Sequence, residues 1–272
     1  MDSVEVSTGG APALWVTGAG SWMPGVPTVD EFVRGKRPEG GAAAQPVGSA
    51  IERRARRRAT ALSRAMADAC AQANQGAGLV ASEVPTEFGS ALGEAPTMIS
   101  LMDQMCRGEE MSPMRFATSV HSAASGVVSI SNENRAFTTS LSADYDTVAA
   151  ALFEASGLIL CGADSVVVVL GDDPSPADFV AEEDAFERLA VALALSSCEP
   201  DGRGGGPMGK ISLPSVDASS TLAGAELPPR IARNPIVGGL DLIAALVAGR
   251  SGTLRLDRGR GGGFAVEVHP NQ

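Results

Sequence analysis

The feature that most restricts the fold of this chain is an apolar run without polar alternation, Ser165-Val166-Val167-Val168-Val169-Leu170. A strand that is apolar on both faces must be covered on both sides, which is typical of parallel sheets flanked by helices. The run follows an alanine-rich segment, Thr147 to Leu160, which we interpret as a buried helix because it has no polar face. Further strands are predicted at Leu14 to Thr17, Phe88 to Gly93 and Phe137 to Leu141. This alternation predicts an α/β fold with a parallel layer.

The strongest helix prediction in the chain spans Ile51 to Ala73, which contains no glycine or proline. A shorter helical turn is predicted earlier, with Thr28 at the N-cap and Glu31 at the capping-box position. The first two turns of the long helix hold the only dense basic cluster in the sequence: Arg53, Arg54, Arg56, Arg57 and Arg58. We interpret this arginine cluster either as a solvated, helix-favouring run or as a docking patch for an acidic partner.

A methionine-rich helix is predicted over Pro96 to Arg107, and a helix of small residues over Ser122 to Asn132. The first of these places four apolar side chains at i, i+3, i+4 and i+7: Met98, Leu101, Met102 and Met105. Such a stripe is typical of a helix face that packs in the core, so we expect these side chains to be buried. The alternative is a flexible binding face, for which methionine is well suited.

The sequence changes character after Gly171, where prolines and then a glycine-rich stretch follow. The elements predicted in this part are strands at Leu189 to Ser196 and Lys210 to Leu213, a helix at Gly239 to Ala248, and a hairpin of Thr253 to Leu256 with Phe264 to Val268.

The charge balance and the cysteine pattern exclude several classes of function. With 32 acidic and 21 basic side chains the formal net charge is −11, which argues against a nucleic-acid-binding protein. The sequence holds no apolar run long enough for a spanning helix and begins without an apolar signal region, so we expect a cytoplasmic protein. Its four cysteines form no C-x-x-C pair and its two histidines have no second ligand nearby, so we expect no metal site.

Three motifs for known chemistries are incomplete. Gly18-Ala19-Gly20 follows a strand but lacks the third glycine and the helix of a dinucleotide loop. Gly204 to Lys210 fits the first part of a phosphate loop, yet Ile211 stands where Ser or Thr is needed. The G-x-S-x-G sequence of a serine hydrolase is absent.

The segment from Met111 to Gly171 resembles the central part of β-ketoacyl-acyl carrier protein synthases, which belong to the thiolase-like superfamily. The features that carry this resemblance are Gly126 in a small-residue helix, Arg135, the strand to Leu141, the helix from Asp146, and Gly162-Ala163-Asp164 before the valine strand. Leu14 to Gly20 is similar to the opening strand and T-G-x-G turn of the family, and Arg53-Arg54 also has a counterpart there.

The resemblance implies a thiolase-like layered α/β fold. Residues 12–172 would form an intact ketosynthase-like N-terminal half, and residues 173–272 a much reduced C-terminal part packed on it. In that part, Arg260 to Val266 is similar to the family's closing glycine turn and strand.

The sequence departs from the family at the nucleophile. Counting without gaps from Gly126 and Arg135 places the family's cysteine at Tyr145, and a slip of one residue places it at Asp144. A ketosynthase needs a thiolate there to hold the growing acyl chain as a thioester, and a phenol with a pKa near 10 cannot replace it. The family also uses two basic residues, usually His, from its C-terminal half, and the only histidine of this chain after His121 is His269.

A relative without the cysteine and with a reduced second half resembles the short chain-length-factor subunit of type II polyketide synthases, of the aryl-polyene or a related type. The resemblance implies a heterodimer with a cysteine-containing ketosynthase, whose acyl tunnel this chain would close. It implies no cofactor here, because the partner acts on phosphopantetheine-bound acyl groups. It also implies transient contact with an acyl carrier protein, for which Arg54 and Arg57 are candidate docking residues. The residues expected at the interface and tunnel are Ser119, His121, Ser122, Gly126, Thr139, Leu141 and Asp146.

A second function stays open at this point. The chain could act alone on acyl thioesters, as a hydrolase or acyltransferase, through Ser142 and His121 or through the Asp144 and Asp146 pair. The first function predicts that no acyl-enzyme forms on this chain, and the second predicts that one does.

Overall fold

The computed structural model describes residues 13–38, 45–177, 180–199, 208–216 and 219–271. The eight strands within these ranges form one sheet in the order β3-β2-β4-β5-β1-β6-β8-β7. Their bounds are β1 Ala13–Trp22, β2 Thr86–Gly89, β3 Thr138–Leu141, β4 Ser165–Asp172, β5 Leu189–Ser196, β6 Gly209–Ser212, β7 Gly252–Arg255 and β8 Ala265–Pro270. Most of the Gly204 to Lys210 motif lies outside the described residues.

Helices cover both faces of this sheet. Their bounds are α1 Val29–Val33, α2 Arg53–Arg56, α3 Ala61–Ala77, α4 Ala95–Cys106, α5 Pro113–Ala117, α6 Ala123–Ser131, α7 Thr147–Leu160, α8 Pro229–Ala232 and α9 Val237–Val247. The helices α3 and α6 pack on one face of the sheet, and α7 and α9 pack on the other. No helix in the described part of the chain is long and apolar enough to cross a membrane.

The central position predicted for the valine strand is confirmed. In β4, Val166 to Leu170 are fully buried, and the strand lies between β2 and β5. Side chains of alternate valines enter different cores, with Val166 and Val168 on the α7 side and Val167 and Val169 on the α3 side. The apolar run therefore reflects cover on both faces of the sheet.

The sheet is mixed, whereas a parallel layer was expected. Strand β2 is parallel to β3 and β4, but β5 lies between β4 and β1 and is antiparallel to both. A strand from the later part of the sequence is thus inserted into the middle of the sheet. All eight residues of β5 are buried, which its alternation of Leu, Val and Ala permits.

The glycines of β1 allow α3 to approach closely. A Cβ on Gly20 would lie 2.0 Å from the carbonyl oxygen of Ala69, and one on Gly18 would lie 2.3 Å from that of Ala73. Gly18-Ala19-Gly20 therefore serves helix-on-strand packing in this fold.

The single helix predicted over Ile51 to Ala73 is wrong, because the chain forms two helices there. The side chain of Glu52 caps α2 by accepting from the amide of Arg54 at 2.8 Å. The hydroxyl of Thr60 accepts from the amide of Ser63 at 3.0 Å and begins α3. These local side-chain hydrogen bonds favour two helix starts over one continuous helix.

Burial of the methionine stripe is also a wrong prediction. Leu101 is buried, but Met98, Met102 and Met105 are 40%, 50% and 57% exposed. The reason is that α4 packs mainly against α5, which itself lies at the surface. We refer to these three side chains as the methionine face.

The interpretation of Thr147 to Leu160 as a buried helix holds for one side only. Helix α7 buries residues such as Val148, Leu152 and Ala155, whereas Phe153 is 42% and Leu160 78% exposed. An apolar helix with an exposed apolar side indicates a surface that another element or chain can cover.

Candidate functional site

The connection between β3 and α7, residues 142–146, contains Tyr145 and Asp144, where the resemblance leads us to expect the family's nucleophile. Asp144 has a φ of +50°, a left-handed conformation that Asp adopts more readily than most residues. Thr147 closes the turn, because its hydroxyl donates to the carbonyl of Asp144 at 2.7 Å and accepts from the amide of Ala143 at 3.1 Å. We call this connection the β3–α7 turn.

Tyr145 packs against its own chain at this turn. Its hydroxyl accepts a hydrogen bond from Nη1 of Arg260 at 3.2 Å, and the guanidinium lies 5.6 Å from the centre of the phenol ring. Arg260 also approaches the carboxylate of Asp184 at 3.4 Å. The phenol is thereby held by a residue of the turn between β7 and β8.

Asp146 binds the same glycine-rich segment. Its two carboxylate oxygens accept from the amide of Gly262 at 2.8 and 3.0 Å. A Cβ on Gly261 would lie 2.4 Å from Oδ1 of Asp146, so this approach requires a glycine. A backbone amide next to a nucleophile position is suited to stabilising negative charge on a reacting oxygen. Here the chain's own carboxylate occupies that donor.

Asp257 fixes this glycine-rich loop, which runs from Asp257 to Gly263. Its carboxylate accepts from the amides of Gly259, Gly261 and Gly263 at 2.8 to 2.9 Å and from Nε of Arg255 at 2.5 Å. Burial alone would raise the pKa of Asp257, but the hydrogen bonds from Arg255 and the three amides outweigh it and lower the pKa to about 2. The loop is therefore held over the start of α7 by an ionised carboxylate.

His121 and Ser142 both form hydrogen bonds with the turn that follows β2, at adjacent carbonyl groups. Nε2 of His121 makes a hydrogen bond with the carbonyl of Ser90 at 2.9 Å. The hydroxyl of Ser142 donates to the carbonyl of Ala91, also at 2.9 Å. Among the hydrogen bonds of the described residues none joins the imidazole to the serine. The base and nucleophile of the second hypothesis are thus not assembled.

The turn after β2 is organised by Asp172, which is not among the site residues predicted from the sequence. Asp172, at the end of β4, accepts from the hydroxyl of Ser90 and from the amides of Ala91 and Leu92 at 2.7 to 3.0 Å. Burial raises its pKa to about 6 despite these hydrogen bonds and the nearby His121. An acidic residue only two positions after an all-apolar run was the signal that could have identified it.

None of the four cysteines lies at the β3–α7 turn. Cys70 is buried in α3, and burial raises the pKa of its thiol to about 12, which makes it a poor nucleophile. Cys106 ends α4, Cys161 follows α7, and Cys198 follows β5. The described part of the chain also contains no group of three or more side chains that could hold a metal ion.

The residues expected at an interface are distributed along one edge of the sheet. Thr139 and Leu141 lie on β3, which is the edge strand, and Gly126 is an exposed residue of α6 beside it. Strand β3 and helix α6 are joined by a hydrogen bond from the hydroxyl of Ser140 to that of Ser125 at 3.0 Å. Ser119, His121 and Ser122 lie in the connection from α5 to α6, and Asp146 lies at the start of α7.

The arginine cluster adjoins this edge. The amide of Glu52, which caps α2, donates to the hydroxyl of Ser131 at the end of α6 at 3.3 Å. Arg54 and Arg57 are exposed and form no ion pair with any residue that the structure describes. Both guanidinium groups are therefore available to an acidic partner.

Comparison with known proteins identifies a family model and several solved structures that are similar to this chain. The chain matches the family model described as the N-terminal domain of β-ketoacyl synthases over residues 35–256. It is similar to a chain of the ketosynthase ApeO in complex with its chain length factor ApeC from Xenorhabdus doucetiae, with 19% identity and a TM-score of 0.69, covering 94% of this chain and 99% of that one. No curated protein matches the chain.

Two further structures are similar. The ishigamide ketosynthase/chain length factor is 13% identical with a TM-score of 0.69, over 95% of this chain and 98% of that one. AntDE:AntF, a type II polyketide synthase acyl-carrier protein in complex with its ketosynthase bound to the hexaketide, is 17% identical with a TM-score of 0.55, over 76% and 69%. These similarities confirm the predicted thiolase-like α/β fold. Because the family model covers most of its length, the chain belongs to the β-ketoacyl synthase family, in which it matches the N-terminal domain.

Proposed function

We propose that this chain is a non-catalytic ketosynthase-like subunit, a chain-length factor, which pairs with a cysteine-containing ketosynthase in type II polyketide or polyene synthesis. The observation that carries the proposal is the β3–α7 turn, where Asp144, Tyr145 and Asp146 stand in place of a cysteine. The carboxylate of Asp146 also occupies the amide of Gly262 that faces this position. The turn therefore carries no thiolate, which acyl transfer through a thioester needs, and the amide of Gly262 is already paired with Asp146.

The surface around β3 supports pairing with another subunit. An edge strand offers unpaired backbone groups to another chain, and exposed apolar side chains beside it favour burial. Ile130 is 76% exposed and Phe137 is 53% exposed at this edge. The similar structures with ApeO and ishigamide components contain a ketosynthase with a chain length factor. We therefore place the heterodimer interface along β3 and α6.

The position of Tyr145 supports a role next to the partner's tunnel. It is half-buried at the β3–α7 turn and held by Arg260. Replacing Tyr145 by Ala is expected to change product chain length or yield without abolishing condensation, because condensation would occur on the partner. Tyr145→Phe keeps the ring volume and serves as the control. If Tyr145→Ala and Tyr145→Phe both gave the products and the heterodimer stability of the wild type, the role of Tyr145 at the tunnel would be refuted.

The second hypothesis, catalysis by Ser142 and His121, has less support. Each side chain is committed to a backbone carbonyl, and Asp146 of the alternative acidic pair is committed to the glycine-rich loop. We therefore favour the partner subunit and assign the phosphopantetheine-bound acyl groups to the ketosynthase.

Co-expression with the cysteine-containing ketosynthase of the same gene neighbourhood tests the proposal. We expect a stable heterodimer, and after incubation with an acyl-thioester mimic we expect intact-mass spectrometry to show label on the ketosynthase alone. Product analysis with carrier protein and malonyl thioester should show elongation only when both subunits are present. Stoichiometric acyl label on this chain would establish catalysis here and contradict the proposal.

A further inference from the structure

The region of α4 and α5 carries a dense group of exposed methionines. Five of the nine methionines of the chain lie between residues 98 and 114. All five are at least 40% exposed, whereas Met23 and Met66 are buried in the two cores. An exposed apolar surface of this kind marks a contact site for another molecule. We call it the α4–α5 surface, and its side chains are those of Met98, Met102, Met105, Met111, Met114 and Phe116.

The α4–α5 surface is held in place by hydrogen bonds. Glu94 directly precedes α4, and its carboxylate accepts from the hydroxyls of Thr60 at 2.5 Å and Ser63 at 3.2 Å. Arg115 of α5 donates to the hydroxyl of Ser100 of α4 at 2.7 Å. The surface is therefore formed before a partner arrives, which lowers the conformational cost of binding.

Both ends of this region adjoin the proposed heterodimer edge. Before α4, the carbonyl of Ala91 accepts from the hydroxyl of Ser142, which follows β3. After α5, His121 leads into α6 and makes its hydrogen bond with the carbonyl of Ser90. The α4–α5 region is thus attached at the end of the edge that β3 and α6 form.

The size of a stable interface favours including this region. Strand β3 and helix α6 are four and nine residues long. A stable protein–protein interface uses about 20–30 residues on each side, so a partner that covered only β3 and α6 would bury too little area. The adjoining α4–α5 surface supplies further area, and its exposed side chains are already apolar.

We propose that the ketosynthase which covers β3 also covers the α4–α5 surface, and that oxidation of the methionines there by peroxide prevents the two subunits from pairing. The inference rests on the proposed function, since it takes the covering subunit to be the ketosynthase. Methionine suits such a contact because its flexible thioether adapts to the shape of a partner. A sulfoxide in the same place is polar, and burying it without a hydrogen-bond donor disfavours the complex.

The reaction is an oxygen transfer from hydrogen peroxide to sulfur. A lone pair of the thioether sulfur attacks one peroxide oxygen, so that an S–O bond forms and the O–O bond breaks. The second oxygen leaves with both protons as water, and two electrons pass from sulfur to the peroxide. Because the reaction needs an accessible sulfur, the free subunit is sensitive at the α4–α5 surface and the heterodimer is protected there.

The test treats the isolated chain with hydrogen peroxide, removes the peroxide, reduces the cysteines with a thiol reagent and then measures the Kd for untreated ketosynthase. Peptide mass spectrometry should find sulfoxides at the α4–α5 surface well before it finds them at Met23 or Met66. We expect the Kd to rise at least about tenfold and to recover after treatment with methionine sulfoxide reductases. The unfolding midpoint of the isolated chain should stay unchanged, because the modified side chains are exposed.

The matched control replaces the five methionines of the α4–α5 surface by Leu, which keeps the apolar volume and leaves every cysteine in place. Whatever the Kd of this variant, peroxide treatment should not change it. An equal rise in Kd for the variant and the wild type would place the effect elsewhere in the chain and overturn the inference. In a complex that the wild type forms, an unchanged Kd after full oxidation of the five methionines would also overturn it and would leave the proposed function intact.

Protection in the assembled protein tests the contact itself. In the preformed heterodimer the five methionines should react with peroxide at least about tenfold more slowly than in the free chain. Equal rates would show that the ketosynthase does not cover them and would overturn the inference. A dimer of the isolated chain that oxidation separates would assign the α4–α5 surface to a second copy, with the same consequence. Failure of the untreated chain to bind the ketosynthase would refute the proposed function itself.

Discussion

At the scale of single residues, Gly20 allows a very close approach between two backbone segments. Its Cβ position lies 2.0 Å from a backbone oxygen of α3, which cannot move without shifting the helix. We expect Gly20→Ala to lower the free energy of unfolding by about 3 kcal/mol or more, measured by urea denaturation. Gly157→Ala is the matched control, because a Cβ there meets nothing within 4 Å on an exposed face of α7. That variant should gain about 0.5–1 kcal/mol from helix propensity. Equal stability of the two variants would contradict the packing described for β1.

The carboxyl of Glu87 gives the isolated chain a pH dependence. Its pKa is raised from 4.5 to about 9 in the folded chain, so the folded state binds a proton more tightly than the unfolded state. The stabilising contribution of this proton is complete below pH 4.5 and is lost as the pH rises towards 9.

We therefore expect the wild type to lose up to about 1.4 kcal/mol of stability per pH unit over this range relative to Glu87→Gln. Asp172 and Glu94 have pKa values raised to about 6 and about 7. They also lower the stability of both proteins as the pH rises, but at lower pH than Glu87 does. The difference between the two denaturation series isolates Glu87, and parallel series would contradict its assigned protonation.

At the scale of elements, the sequence was most informative where apolar patterns extended through whole strands. The bounds of β5 and α7 agree with their predictions because nearly every residue in them is apolar. Less could be predicted where side chains compete for the backbone, as at Thr60, whose hydroxyl begins a new helix inside a helix-favouring sequence. A stripe of apolar residues also does not say what covers it, which is why α4 was expected in the core.

Substitutions in the methionine face test whether its side chains contribute to the core of the isolated chain. We expect the combined change of Met98, Met102 and Met105 to Gln to alter the unfolding free energy of the isolated chain by less than about 1 kcal/mol, because these side chains are exposed. Leu101→Ala, on the buried side of the same helix, should cost about 2–5 kcal/mol. Heterodimer affinity should fall for the methionine variant if this face is covered by the partner. A large loss of stability in the isolated chain would restore the core interpretation.

At the scale of the whole molecule, the order of strands could not be read from the sequence. The insertion of β5 between β4 and β1 joins the later part of the chain to the centre of the sheet, and the family match accordingly continues to residue 256. The contacts within the candidate site could not be read from the sequence either. The position of Tyr145 followed from counting along the sequence, but its contact with Arg260 joins residues 115 positions apart. Long-range pairs of this kind depend on topology, which local patterns do not encode.

The charge distribution over the whole molecule leads to the last prediction. A chain with net charge −11 repels an acidic carrier protein at long range, so a carrier has to approach through a local cationic surface. The arginine cluster on and after α2 is such a surface, and it adjoins α6 at the proposed heterodimer edge. Because the chemical step is assigned to the ketosynthase's cysteine, we expect this surface to assist encounter and to leave the chemical step unchanged.

Charge reversal at Arg54 and Arg57 is therefore expected to raise the apparent KM of the heterodimer for carrier-bound substrate about 3- to 10-fold, with little change in kcat. The effect should shrink as salt is raised, because at about 1 M ionic strength the screening length falls to about 3 Å. Charge reversal at Arg250, near the opposite edge of the sheet, controls for net charge alone, since its side chain donates to the carbonyl of Ala223 and not to an acidic residue. An equal increase in KM per reversed charge at Arg250 and at Arg54 with Arg57 would show that only the overall charge matters. A KM that does not respond to the Arg54 and Arg57 changes would mean that the carrier docks on the ketosynthase alone.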